Sequence, residues 1–244
     1  MLQSIKLLLG KELAATDASL GHVKDFYFDD QNWAVRYVIV DTAKWLPGRQ
    51  VLLSPHAFGD LSLEGKAIAV NLTRGQIEGS PPIETHKPVS RQYEEEYHRY
   101  YGWPSYWEGE GLWGGTRGFP ILETPPNVPL IAPEALIGPQ RDRAGAHLRS
   151  TQAVSGYHIM ATDGITGHVC DFMMEPKSWA ISQLIVKTGH RFTGKEVEIP
   201  VSLVERISYA ESTVFVKLTR QAIEGSLEHQ VIAKATVDQR LLTL

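Results

Sequence analysis

Cysteine is almost absent from this 244-residue chain: Cys170 stands alone, which excludes an intramolecular disulfide framework and any CxxC metal or redox pair. A lone cysteine in an apolar segment reads as a small buried hydrophobe. No long hydrophobic run is present either. The opening "MLQSIKLLLGKELAATDAS" carries only a short apolar stretch before Gly10 and Lys11, too little for a secretory core or for the roughly 18 apolar residues of a membrane span. Direct membrane insertion is therefore not expected, and the chain reads as cytoplasmic. Clusters of Lys and Arg are missing, and the net charge is −4. Phosphate neutralisation supplies most non-specific nucleic-acid affinity, so nucleic acid is not an expected partner.

Catalytic signatures are missing too. The nine histidines show no HxH or HExxH spacing, and the chain has no P-loop, nucleophile elbow or zinc set. "GEGLWG" (109–114) has the letters of GxGxxG, but it follows a polar-aromatic segment instead of a buried strand, and Gly118 and Pro120 stand where a helix is required. No catalytic, metal or cofactor residue is nominated, and an enzyme is not expected.

What is present is a duplication. "ATDASLGHVKDF" (15–26) returns 146 residues later as "ATDGITGHVCDF" (161–172), and "LTRGQIEGS" (72–80) as "LTRQAIEGS" (218–226), with the same offset between. Gly21, Asp25, Trp33, Arg74 and Glu78 thereby pair with Gly167, Asp171, Trp179, Arg220 and Glu224. We read these ten as structural: glycines for tight turns, aspartates capping turns or ladders, and Arg/Glu ion pairs at i,i+4. His22 and His168 also correspond and read as outward-facing surface histidines. "AVRYVIVD" and "AISQLIVK" are β-branched runs, and "AIAVNL" and "TVFVKL" alternate strictly, as strands do. Strands this short and evenly spaced fit a small closed antiparallel barrel, which leaves no exposed edge. "HVKDFYFD" keeps its alternation only approximately, so a bulge is expected there. The expected fold is mainly β: two barrels in tandem, residues 1–82 and 148–229, a connector 83–147 with a short helix at 90–101, and a tail 230–244.

The stretch "LLGKELAATDASLGHVKDFYFDDQNWAVRYVIVDTAKWLPGRQVLLSP" resembles the PRC-barrel family, through the Gly-x-Val-x-Asp unit at Gly21, Val23 and Asp25 and through "WLPGRQVLLSP" (45–55). The second copy repeats the first signature at Gly167, Val169 and Asp171 and degrades the other to "RFTGKEVEIP". That family includes the cytoplasmic barrel of the photosynthetic reaction-centre H subunit and the C-terminal domain of the ribosome maturation factor RimM. The resemblance implies a module for protein interaction on larger assemblies. It also offers rivals: a peripheral accessory of a membrane electron-transfer or photosynthetic complex, and a ribosome-assembly role. A small-ligand sensor or enzyme with a site between the barrels is a further alternative.

Between the copies, "RQYEEEYHRYYGWPSYWEGEGLWGG" (91–115) gathers Tyr93, Tyr97, Tyr100, Tyr101, Trp103, Tyr106, Trp107 and Trp113. Ser90 caps a helix that Gly102 and Pro104 stop. Its tyrosines then share one face, while Glu94, Glu95, Glu96 and Arg99 face water and Glu95 pairs with Arg99. Each buried aromatic contributes about 1.5–3 kcal/mol, so this stripe is expected to be covered, by the barrels or by a second copy in a homodimer.

Overall fold

The structure is a computed structural model, and it describes residues 1–42, 45–46, 50–59, 61, 67–81, 89–108, 111–114, 148–189 and 194–228. Much of the connector and the whole tail 230–244 lie outside the described residues, as does Gly118.

The chain is mainly β, and its elements come in two matching series. The first half runs β1 (Gln3–Ser4), β2 (Glu12–Ala14), β3 (Ser19–Asp29), β4 (Ala34–Asp41), β5 (Val51–Leu53), a 3-10 turn Pro55–Ala57, β6 (Ala67–Ala69) and α1 (Arg74–Glu78). Then comes α2 (Arg91–Tyr101), which has no counterpart among the described residues. The second half runs β7 (Leu148–Ser150), α3 (Thr151–Val154), β8 (His158–Ala161), β9 (Gly164–Met174), β10 (Ile181–Lys187), β11 (Glu196–Pro200), a 3-10 turn Val201–Leu203, β12 (Val204–Ser208), β13 (Thr213–Val216) and α4 (Arg220–Glu224).

Each half is one sheet: β5-β4-β3-β2-β6 in the first and β11-β10-β9-β8-β13-β12 in the second. Two expectations are corrected here. The ladders are not all antiparallel, because β2–β6 and β8–β13 are parallel. In each half the intervening hairpin strands supply the long crossover that a parallel pair needs. Nor does either sheet close into a barrel among the described residues; both are open paths. In the second half the free edge of β11 is taken by Leu227 and Glu228 (Glu198 N–H to Leu227 O, 3.1 Å; bridge Val197–Glu228), so β11 does not meet β12.

The bulges fall where the alternation faltered. Register shifts separate Val23 from Asp25 and, at the mate position, Ile185 from Val186 opposite Asp171 and Val169. Gly21 has φ +119°, and a Cβ there would lie 2.0 Å from the Asp41 carbonyl oxygen; Gly167, at φ +66°, would meet the Lys187 carbonyl at 2.2 Å. Both glycines are required by close backbone approach and positive φ together.

The feature that positions everything else is an exchange. β1, which leads into the first half, pairs with β9 of the second; β7, which leads into the second, pairs with β3 of the first. Ser4 donates its hydroxyl to Asp171, and Ser150 donates to Asp25. Trp33 and Trp179 both adopt left-handed backbone, at φ 51° and 58°. This aims the Trp33 carbonyl at Ile181 N–H (2.6 Å) and the Trp179 carbonyl at Val35 N–H (2.9 Å), around a bridge between Ala34 and Ala180. One continuous apolar core results, with Phe28 against Phe172 and Phe58 against Trp179.

Gly167→Ala is expected to lower stability by about 2–4 kcal/mol, from strain plus the carbonyl clash. Chemical denaturation followed by tryptophan fluorescence measures it, and a loss below about 1 kcal/mol would contradict the close approach.

Candidate functional site

The connector helix α2 builds a concentrated polar-aromatic site. Ser90 accepts from Tyr93 N–H at 3.2 Å and Gly102 closes the helix at φ 69°, so helix bounds and caps follow the local rules. The face that α2 presents to β4 and β5 is aromatic. Tyr97 is 1% exposed, donates to the Leu52 carbonyl at 2.6 Å and meets Tyr37 edge-on at 5.7 Å. Tyr93 stacks on Tyr97 and donates to the Pro81 carbonyl, and Tyr101 stacks on Trp103 at 4.3 Å. Trp107 lies against His98. Trp113 is buried and donates to the Ser178 carbonyl at 2.8 Å, which ties the connector to the second half. Tyr100 is the outlier: it is 45% exposed, with its hydroxyl on the Gln76 carbonyl. The chain itself covers the stripe.

One expectation about α2 is overturned. Glu94 does not face water; it is 3% exposed, and His98 is 2% exposed. Both point at β4 with the tyrosines, because i, i+3, i+4 and i+7 positions share a face. Glu94 Oε1 accepts from Tyr106 and, at 3.0 Å, from Tyr37; its Oε2 lies 3.0 Å from Arg91 Nη1. Arg91 also stands over the Trp107 ring at 4.4 Å. The ion pair formed by α2 is thus Arg91–Glu94, and Glu95 is not paired with Arg99. Beneath them Arg36, 1% exposed, bonds Asp29 at 3.1 Å and the Leu112 carbonyl, and its guanidinium lies 4.0 Å from the Tyr106 ring and 4.9 Å from Trp113. A buried guanidinium needs such pairing.

The proton arrangement follows from donors and acceptors. His98 Nδ1 lies 2.9 Å from the Pro104 carbonyl, which only accepts, so Nδ1 carries a proton. Nε2 lies 3.1 Å from the Tyr37 hydroxyl, which also contacts Glu94 Oε1. Tyr37 has one proton, and it donates to Glu94 Oε1. Burial disfavours charge on both neighbours of that hydroxyl: it raises the Glu94 carboxyl above its usual range and lowers His98 to about 4. His56, packed against His98 and Trp113, is likewise lowered by burial, to about 4.

These groups are shut away from solvent, so the arrangement works as a polar clip that fixes α2 on the sheet. Among the described residues no group of three His, Cys, Asp or Glu could hold a metal. The Cys170 thiol is raised by burial to about 12 and donates to the Ile185 carbonyl. His22 is exposed on β3, as a surface histidine would be, and His168 sits half-buried on β9.

The duplicated residues separate into two tasks. Asp25 and Asp171 hold the other half's leader, and Trp33 and Trp179 turn their carbonyls across the junction. Arg74 and Arg220 do not reach Glu78 and Glu224, which are exposed at the ends of their helices. Arg74 donates to the Ser19 carbonyl at 2.7 Å and lies over Trp45, and Arg220 pairs with Asp163 at 3.6 Å. The i,i+4 geometry loses because Asp17 and Asp163 receive the first helical amides and hold α1 and α4 close to those turns.

Sequence reasoning missed Arg36, Tyr37, His56, Glu94 and His98. A signal existed: where the first half has Arg36, Tyr37, Leu52 and His56, the duplicate has Ser182, Gln183, Glu198 and Ser202. Divergence between repeats marks the face that only one half must present to α2.

With that architecture in view, comparison with known families is informative. Residues 4–77 carry a PRC-barrel domain. The PRC-barrel match begins at β1's Ser4 and ends on Ile77 of α1, so it takes in the full first series of elements. No curated protein matches the chain. No helix among the described residues is long and apolar enough to cross a membrane.

Tyr97→Phe removes only the Leu52 bond and is expected to cost about 1 kcal/mol, against about 3–5 for Tyr97→Ala. Stability is expected to fall as pH drops from about 6.5 to about 4, because the unfolded chain binds protons that buried His56 and His98 refuse. The slope is about 1.4 kcal/mol per pH unit for each histidine. Glu94 has the opposite sign: its raised carboxyl contributes stability that is lost as pH rises through its folded value. Equilibrium unfolding at several pH values should therefore show a shallower acid limb for His98→Gln than for the parent, and equal limbs would place His98 in solvent.

Proposed function

We propose that the chain is a non-enzymatic protein-interaction module, with its second half a further PRC-type unit, and that it binds through the face of that half which no helix covers among the described residues. The observation behind this reading is an asymmetry between mates. In the first half the 3-10 turn Pro55–Ala57 buries Pro55 and Ala57 beside the aromatic connector. The matching turn Val201–Leu203 buries nothing, and Val201, Leu203, Val204 and Ile207 stay half-buried. Groups of apolar residues left at a surface are contact sites more often than chance placements. The titratable cluster under α2 supports the same reading from the other side, since groups closed off from solvent have no substrate to act on.

The occupant we assign to this face is a second copy, giving a homodimer. The original reason for a dimer, an uncovered tyrosine stripe, has lapsed with the docking of α2; the Val201–Ile207 face replaces it. Sedimentation velocity over a concentration series tests it. The parent chain is expected to associate, and Leu203→Glu, placed at a half-exposed position, is expected to remain monomeric with a melting temperature close to the parent's. A parent that stays monomeric at all concentrations refutes the homodimer, and association undiminished in Leu203→Glu refutes the face.

A further inference from the structure

One set of contacts between the two halves is reciprocal, residue for residue. Asp171 receives the Ser4 hydroxyl and the Lys6 amide (2.9 Å); Asp25 receives the Ser150 hydroxyl and the Gln152 amide (3.2 Å). Each serine then accepts from the amide three residues on, Leu7 or Ala153. β1 on β9 is mirrored by β7 on β3. The Trp33–Ile181 bond is mirrored by Trp179–Val35, and the Ala34–Ala180 bridge is its own mirror. Every one of these maps onto its partner under the 146-residue offset. A patch that contacts its own equivalent is the mark of an isologous two-fold interface, which is ordinarily found between two chains.

We propose that the two halves hold each other as the subunits of a dimer do. Their association needs no covalent link, and the first half of one copy can pair with the second half of another. The recognition element is short and identical in plan on both sides: an extended residue pair for the sheet edge, then a serine hydroxyl and the second amide beyond it, both received by one buried aspartate. Asp25 and Asp171 are each 8% exposed, so these are charge-assisted bonds away from water, where such bonds are strongest. Neither half completes its sheet from its own residues, which makes the complementary half, from the same chain or from a second copy, the partner that fits. This inference stands apart from the Val201–Ile207 face: that face is on the outside of the second half, whereas the reciprocal contacts lie between the halves.

The test uses the full chain with a protease recognition sequence placed within residues 120–140, folded intact and then cut. The two fragments are expected to elute together at the mass of the uncut chain. Isotopically heavy and light cut chains, unfolded and refolded together, are expected to give mixed pairs by native mass spectrometry. In the same cut background, Asp25→Ala and Asp171→Ala are each expected to raise the dissociation constant of the fragments by about tenfold or more. Fragments that separate into two folded pieces, that fail to re-pair after refolding, or that re-pair only as heavy–heavy and light–light overturn the proposal. A Leu203→Glu chain that no longer associates yet still gives mixed fragment pairs would keep this proposal and leave the outer face as a separate contact.

Discussion

The structure depends on two buried carboxylates that each satisfy the other half's leader. A sheet edge is a row of unpaired amides and carbonyls, and leaving it open is costly or aggregation-prone. Closing a barrel would deal with the edge inside one domain. Here the long strands β3 and β9 instead take up a strand from the opposite half, and Asp25 and Asp171 convert that loose pairing into a specific one by binding hydroxyl and amide together. The left-handed tryptophans 33 and 179 belong to the same constraint: only with that backbone do their carbonyls face across the junction.

From that junction the rest follows in order. Two sheets joined by exchanged strands each keep a face of their own, and duplication would make these faces alike. They have diverged. The first face carries Arg36, Tyr37 and Leu52 and is roofed by α2; the second carries Ser182, Gln183 and Glu198 and has no such helix among the described residues. An aromatic roof over a buried arginine, a glutamate and two histidines is a high-stakes arrangement, because in low dielectric a satisfied network rigidifies and an unsatisfied one is expensive. Most of it is satisfied here, through Asp29, Arg91, Tyr37, Tyr106 and backbone carbonyls, while Arg36 Nε has no hydrogen-bond partner among the described residues. The connector is therefore part of the first half's core and not a tether between beads, and Trp113 extends it to the second half.

Much of this was legible in advance where the rule is local. Ser90 and Gly102 bound α2, and Gly21 and Gly167 sit where only glycine fits. Such features depend on a few neighbouring residues, so a linear reading reaches them. Glu94 was misread for a physical reason: a carboxylate is charged and ordinarily solvated, and its burial is bought by Tyr37, far away in the chain. Arg74 was misread because helical spacing offers Glu78 while the fold offers the Ser19 carbonyl. Closure of the sheets was misjudged because whether an edge meets its own sheet or another element depends on what else reaches it, and nothing in a strand's own residues specifies that.

By itself, then, the sequence determined that the chain is a duplication, that its halves are β-rich, that their turns need glycine, and that an aromatic helix must be covered. These are consequences of periodicity, steric limits and the cost of exposing rings to water, which act over a few residues. Only the tertiary structure decided that the leader strands cross over, that Asp25 and Asp171 hold them, that α2 roofs the first half, and that Tyr37 joins a glutamate and a histidine beneath it. Those outcomes are set by which groups 50 to 170 residues apart come within hydrogen-bond reach, and distance along a chain carries no information about distance in space until the sheets are assembled.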